Sequence, residues 1–242
     1  MIAIVVGLLA GFIDSIAGGG GLITLPYLTL ELINPANAVG TNKIVGALGA
    51  LMAFIIYQRT HRVNWREGIG FCVVIGLGSF CGSRITPYIP PKYFVWGLLA
   101  MSPLILAVVL NKDLFLKVRT KGERMSIATY ITAFFVGMYD GGFGPGGGTF
   151  MLLALLLVGK LPLIQALTLS KLANTFSAST ALISFAQGGY VHWGLGCLVG
   201  AAMTLGAYIG SKSTVKHTVK IVRPVMVIVV VLLIATLIRK IL

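Results

Sequence analysis

The chain has 242 residues, of which 57% are hydrophobic and only 10% charged, and a formal net charge of +13 at pH 7. A mean hydropathy of +0.96 leaves far too little polar surface to cover a soluble globule, so the composition describes an integral membrane protein. The Lys and Arg excess would suggest nucleic acid in a soluble protein, but here it collects in short loops between apolar segments. Anchoring at one membrane face accounts for it there, and no nucleic-acid partner is expected.

Hydrophobic runs broken by charge, Gly and Pro predict ten helical segments, five in each half of an all-α membrane protein. The first, residues 1–17, is apolar from Met1 but has neither a basic n-region nor an A-x-A-like cleavage site. It is expected as a retained helix, not a signal peptide. Residues 22–32 follow, then 38–58, 67–86 and 92–110. A charged stretch, 111–125, separates a first repeat (1–110) from a second (126–242), whose segments are 126–141, 148–158, 163–187, 193–212 and 219–240. Tyr93 to Asn111 and Leu172 to Ser211 contain no Asp, Glu, Lys or Arg, and each is long enough to cross a hydrocarbon core of ~30 Å.

The two halves say nearly the same thing. Gly11-Phe12-Ile13-Asp14 followed by Gly18–Gly21 returns 126 residues later as Gly137-Met138-Tyr139-Asp140 followed by Gly144-Pro145-Gly146-Gly147-Gly148. Thr41-Asn42-Lys43-Ile44 returns as Leu169-Ser170-Lys171-Leu172, and Val63-Asn64-Trp65 as Val191-His192-Trp193, at an offset of 128. Duplication with glycine-broken segments at matching positions points to the binding site of a secondary transporter.

In each half the second segment, near 11 residues or ~16 Å of helix, is too short to cross alone. A short helix reached through a glycine turn predicts a re-entrant or half-helix hairpin, tolerable where it is buried in protein or lines a cavity. The first two segments then start and finish on one side, three crossings follow, and the repeats are inverted, their hairpins meeting near the midplane. The alternative joins the first two segments into one broken helix and makes the repeats parallel. Loop charge separates the two. With Lys43 and Lys171 left aside as intrahelical, the inverted arrangement collects thirteen cations on one side: three within Arg59–Arg66, five within Lys112–Arg124, Lys160, and four within Lys212–Arg223. Only Arg84, Lys92, Arg239 and Lys240 lie on the other. The parallel arrangement blurs that asymmetry, so inverted repeats with both termini outside are expected.

Asp14 and Asp140 sit at membrane depth just before the glycine runs, where an ionisable group is costly and is a functional hypothesis by default. Two roles fit: coupling of a proton or cation, or acceptance of hydrogen bonds from the glycine turn. The runs themselves, with Gly20, Gly21, Gly146, Gly147, Gly148 and the adjoining Thr149, place main-chain N–H groups at the start of a short helix, which attracts anions. Close helix packing by small residues is the competing reading. Lys43 and Lys171, preceded by Thr41, Asn42 and Ser170, would neutralise an anion and hydrogen-bond it; snorkelling to the interface is the other use of such a lysine. Asn174, Thr149 and Thr24 are weaker candidates, and Trp65 and Trp193 read as interfacial anchors.

Other chemistry finds no support. Gly142 to Gly147 matches G-x-G-x-x-G formally but follows no strand, so dinucleotide binding is rejected. His61, His192 and His217 lack metal-ligand spacing, and there is no Ser-His-Asp set or Walker motif, so neither an enzyme nor a cofactor or metal is expected. Cys72, Cys81 and Cys197 lie in apolar segments without C-x-x-C spacing and read as packing residues.

With these residues together, the chain resembles the sulfite exporter TauE/SafE family of prokaryotic membrane proteins. The likeness rests on the duplicated Gly-x-x-Asp and glycine-run pattern, the Gly40-Thr41-Asn42-Lys43 segment and the Val-Asn/His-Trp elements, and it covers essentially the whole chain. It implies a multi-pass inner-membrane transporter, exporting or importing small sulfur-containing anions such as sulfite, thiosulfate or organosulfonates. Substrate would bind at the repeat interface on helix N-termini and the two lysines, with protons as coupling ion at Asp14 and Asp140. Pro145 within the second glycine run, and Ser170-Lys171 without the Thr-Asn of the first copy, depart from strict equivalence of the halves. An uncoupled anion pathway, or a membrane scaffold subunit of a sulfur-metabolism complex, are the alternative functions.

Overall fold

A computed structural model describes residues 1–32, 34–60, 63, 65–88 and 125–239. Among them every regular element is helical: α1 (Ile2–Ala17), α2 (Gly21–Glu31), α3 (Pro35–Thr60), α4 (Trp65–Ile85, continued by a 3₁₀ turn at Thr86–Tyr88), α5 (Ile127–Gly142), α6 (Gly147–Leu157), α7 (Leu163–Gln187) and α8 (Trp193–Arg239). The predicted segment 92–110, nearly all of the linker 111–125, His61 and Asn64 lie outside the described residues.

Helix ends follow local chemistry. α1 stops at Gly18, whose φ of 83° is the left-handed conformation glycine adopts freely, and whose N–H closes on Asp14 O at 2.7 Å. α3 opens on Pro35 at its first position, with Asn34 Oδ1 accepting from Ala36 N–H at 2.9 Å. Ser126 caps α5 by accepting from Thr129 N–H. One expectation fails: the segments predicted at 193–212 and 219–240 are a single 47-residue helix, α8. The polar stretch Ser213–Thr218 that suggested a break contains neither Gly nor Pro, so nothing interrupts the hydrogen-bond ladder there. At ~70 Å this helix is longer than one bilayer crossing requires.

Glycines set how the helices approach. Gly7 lies on Val199 and Ala202, Gly11 on Met203 and Ala207, and Gly210 on Phe12 and Ser15, so α1 and α8 run side by side in the same direction. α4 and α5 do the same: Gly78 lies on Phe134, and Gly82 on Met138 and Gly142. The helices also pair as α3 with α8, where Gly196 meets Thr41 and Ile44 and Gly49 meets Met203, and as α4 with α7, where Gly68 meets Leu169 and Gly76 meets Thr180. Both of these pairs are parallel. α3 and α7 pack against each other. Each pairing made by one half therefore has a counterpart made by the other.

α6 is buried along almost its whole length, from Gly147 to Leu156, within a core that includes Phe71, Ile75, Leu167 and Leu169. A short helix apolar on every side is what such a position requires. The outward faces carry exposed Val5, Leu9, Leu77, Ile131, Phe135, Ile183, Leu205 and Ile209. A surface so apolar belongs against lipid. Among the described residues three stretches, Pro35–Thr60, Gly68–Tyr88 and Trp193–Val215, are long and apolar enough to cross a membrane. The protein is an all-α, multi-pass membrane protein.

Candidate functional site

The two glycine turns meet. Gly18, after α1, packs on the main chain of Gly148 and Thr149 at the start of α6, with no room for a Cβ, and Gly21, at the start of α2, faces Gly144 and Pro145. Thr149 Oγ1 donates to Ala17 O at 2.7 Å and ties one turn to the other. Tyrosines brace both: Tyr57 donates to Ser15 O at 2.7 Å and Tyr139 to Pro145 O at 2.8 Å.

At this junction each lysine pairs with the aspartate of the opposite half. Lys43 Nζ lies 3.4 Å from Asp140 Oδ2, and Lys171 Nζ 3.3 Å from Asp14 Oδ2. Each ammonium also donates to the main-chain carbonyl of its aspartate, in the last turn of α5 or α1, where a helix C-terminus favours a cation. All four residues are at most 4% exposed, so two cations and two anions balance inside the protein.

The carboxylates reach the helix N-termini as well. Asp14 Oδ1 accepts from Gly20 N–H at 3.0 Å, and the Asp140 carboxylate lies against Gly147, where a Cβ would collide with it. Asp140 Oδ2 also accepts from the Ser177 hydroxyl at 2.5 Å. The position of Ser177 in the first half, 128 residues earlier, is Gly49, which has no hydroxyl to offer.

Between the pairs is a cavity of about 30 Å³, enough for a single water. Of the residues expected at the site, Asp14, Gly21, Asn42, Lys43, Asp140, Gly148 and Asn174 line it, together with Thr24. Thr24 donates to Asn42 Oδ1 at 2.5 Å, which leaves the Asn42 amide NH₂ turned toward Gly21 and Gly144. Asn174 is 7% exposed, and its amide makes no hydrogen bond among the described residues.

The remaining candidates stand around the cavity. Lys171 and Gly20 meet Asp14 and Gly147 backs Asp140, while Gly146, left-handed at φ 75°, starts α6. Thr41 accepts from His192 N–H at 2.9 Å and holds the α7–α8 connection, and Ser170 donates to Leu167 O of its own helix. Residues not singled out in the sequence also line the cavity: Gly18, Gly46, Gly144, Ala178 and Met203. Gly46 stands three residues after Lys43, as Asn174 does after Lys171, so i+3 spacing from the lysines could have found it. Nothing in the sequence links Met203 to the junction. Among the described residues, no three His, Cys, Asp or Glu side chains converge as a metal site would require.

Inward-facing charges at a junction of broken helices, inside an apolar-surfaced bundle, define a membrane transporter. The chain belongs to the sulfite exporter TauE/SafE family, whose profile matches residues 3–237. It is 32% identical over 226 residues to a Sinorhizobium protein named "Probable membrane transporter protein ORF9", covering 91% of this chain and 85% of that one. A Haemophilus influenzae protein named "Probable membrane transporter protein" is 34% identical, covering 92% and 88%. Escherichia coli "Probable membrane transporter protein YfcA" is also 34% identical, covering 93% and 84%. No solved structure matches. The protein is accordingly a multi-pass transporter of the bacterial inner membrane.

Proposed function

We propose that the protein is a secondary transporter of a small sulfur-containing anion, such as sulfite, thiosulfate or an organosulfonate, coupled to protons and working by alternating access. In this reading residues 1–110 and 126–242 are inverted repeats joined by a cytoplasmic linker. Helix directions support the inversion: α1 and α3 run with α8, α4 runs with α5 and α7, and α3 and α4 are consecutive helices, the one ending at Thr60 and the other starting at Trp65.

One observation carries the proposal. The buried lysine of each half is held by the aspartate of the other, where both glycine turns meet around a cavity. Lysines, amide donors and helix N-termini would hold the oxyanion, and the aspartates would take up protons. An uncoupled pathway, with both aspartates merely bracing the turns, has the Gly20 N–H to Asp14 bond in its favour.

Flux of ³⁵S-labelled sulfite and thiosulfate into proteoliposomes holding only this protein tests the proposal. Saturable uptake that follows an imposed proton gradient is expected. Uptake indifferent to the gradient supports the uncoupled pathway. Vesicles with folded protein and no flux of these anions or of organosulfonates would sink transport of this class.

A further inference from the structure

The groups best suited to hold an anion are already engaged. Lys171 faces the carboxylate of Asp14, and the same carboxylate takes the Gly20 N–H at the start of α2. Lys43 faces Asp140, which also lies against Gly147 at the start of α6. The space between holds about 30 Å³, less than a sulfur oxyanion needs. Among the described residues two amides of the lining donate no hydrogen bond: the Asn42 NH₂, and the buried Asn174 amide, one helical turn from Lys171 on the same face of α7.

Resting on the transport reading above, we propose that Asp14 is a tethered stand-in for the substrate: the transported anion binds Lys171 and Asn174 by displacing the Asp14 carboxylate, which leaves as the neutral acid. Coupling then needs no separate proton site, because anion and carboxylate compete for one ammonium. Each carboxylate takes two donors, and Asp14 is the one that yields because its lysine is followed three residues on by the unengaged Asn174 amide, where Gly46 follows Lys43. Among the described residues the titratable groups facing the pairs are Lys171 and Tyr57 beside Asp14, and Lys43 and Tyr139 beside Asp140. α2 and α6 place no titratable side chain on the cavity, and α8 lines it with Met203.

The test is binding of ³⁵S-thiosulfate, with methanesulfonate as competitor, to the full chain in lipid nanodiscs. Both anions stay fully ionised from about pH 5.5 to about pH 8, so any slope belongs to the protein. Displacement of one carboxylate as the acid makes affinity rise about tenfold for each unit of falling pH across its titration. Asp14→Asn is expected to bind with no pH slope. Its thermal stability should fall without anion and recover with it more than that of the wild type, because the anion replaces the missing charge. Asp14→Glu should keep the slope, and Asn174→Ala should weaken binding about tenfold or more. Wild-type affinity that ignores pH overturns the proposal, as does a folded Asp14→Asn that has lost binding or one that no anion recovers. Absence of any anion binding to the wild type overturns the transport reading itself, and this inference with it.

Discussion

Two interior ion pairs decide the behaviour of single residues here. A buried pair adds little net stability over an apolar replacement, but breaking one by removing a partner strands a charge, at a cost of about 3–5 kcal/mol. Lys43→Gln should therefore destabilise the protein by that amount, while Lys43→Gln combined with Asp140→Asn should recover most of the loss, as read by unfolding in mixed micelles. A double variant as unstable as the single one would show that the pair is not the energetic unit. Ser177→Ala removes one hydroxyl donor to a charged acceptor and should cost about 1.5–3 kcal/mol by the same measurement. The recurrence of Asp and Lys was legible in the sequence, but their crossed pairing was not. The partners lie 157 and 97 residues apart, beyond any local periodicity.

At the scale of elements, the glycine turns are the structural commitment. Gly18 and Gly189 share positive φ, 83° and 73°, yet differ in surroundings: Gly18 abuts the main chain of Gly148, whereas Gly189 has nothing near the position of a Cβ. Gly189→Ala should cost only the left-handed penalty, about 1–2 kcal/mol. Gly18→Ala adds a backbone collision between the two halves and should exceed about 3 kcal/mol. Equal effects of the two substitutions, measured by thermal unfolding, would remove the turn-to-turn contact from the argument. Short α2 and α6 were readable from the glycine runs and their length. The continuous α8 was not, because a polar hexapeptide between apolar runs looks the same whether it is a loop or the middle of a long helix.

Helix directions, not composition, orient the whole molecule. Arg59, Thr60 and Lys212 line one outer pocket, and Arg84, Tyr88 and Gln187 another. In the inverted arrangement these open on opposite membrane faces. In a background lacking Cys81 and Cys197, Thr60→Cys and Lys212→Cys should react with an impermeant maleimide only from the cytoplasm. Tyr88→Cys and Gln187→Cys should react only from outside. Labelling of all four from one side would rule out inverted repeats.

The amino-acid sequence by itself determined that the chain is a helical membrane protein in which an Asp, a glycine run and a Lys recur at matching positions. Composition, periodicity and repetition are properties of the linear order. Which lysine meets which aspartate, that Thr41 and Ser170 turn away from the cavity, and that Gly46 and Met203 turn toward it were decided only by tertiary structure. Those facts depend on how α3 and α7 pack and how closely the glycine turns approach, and both are set by contacts between residues far apart in the chain.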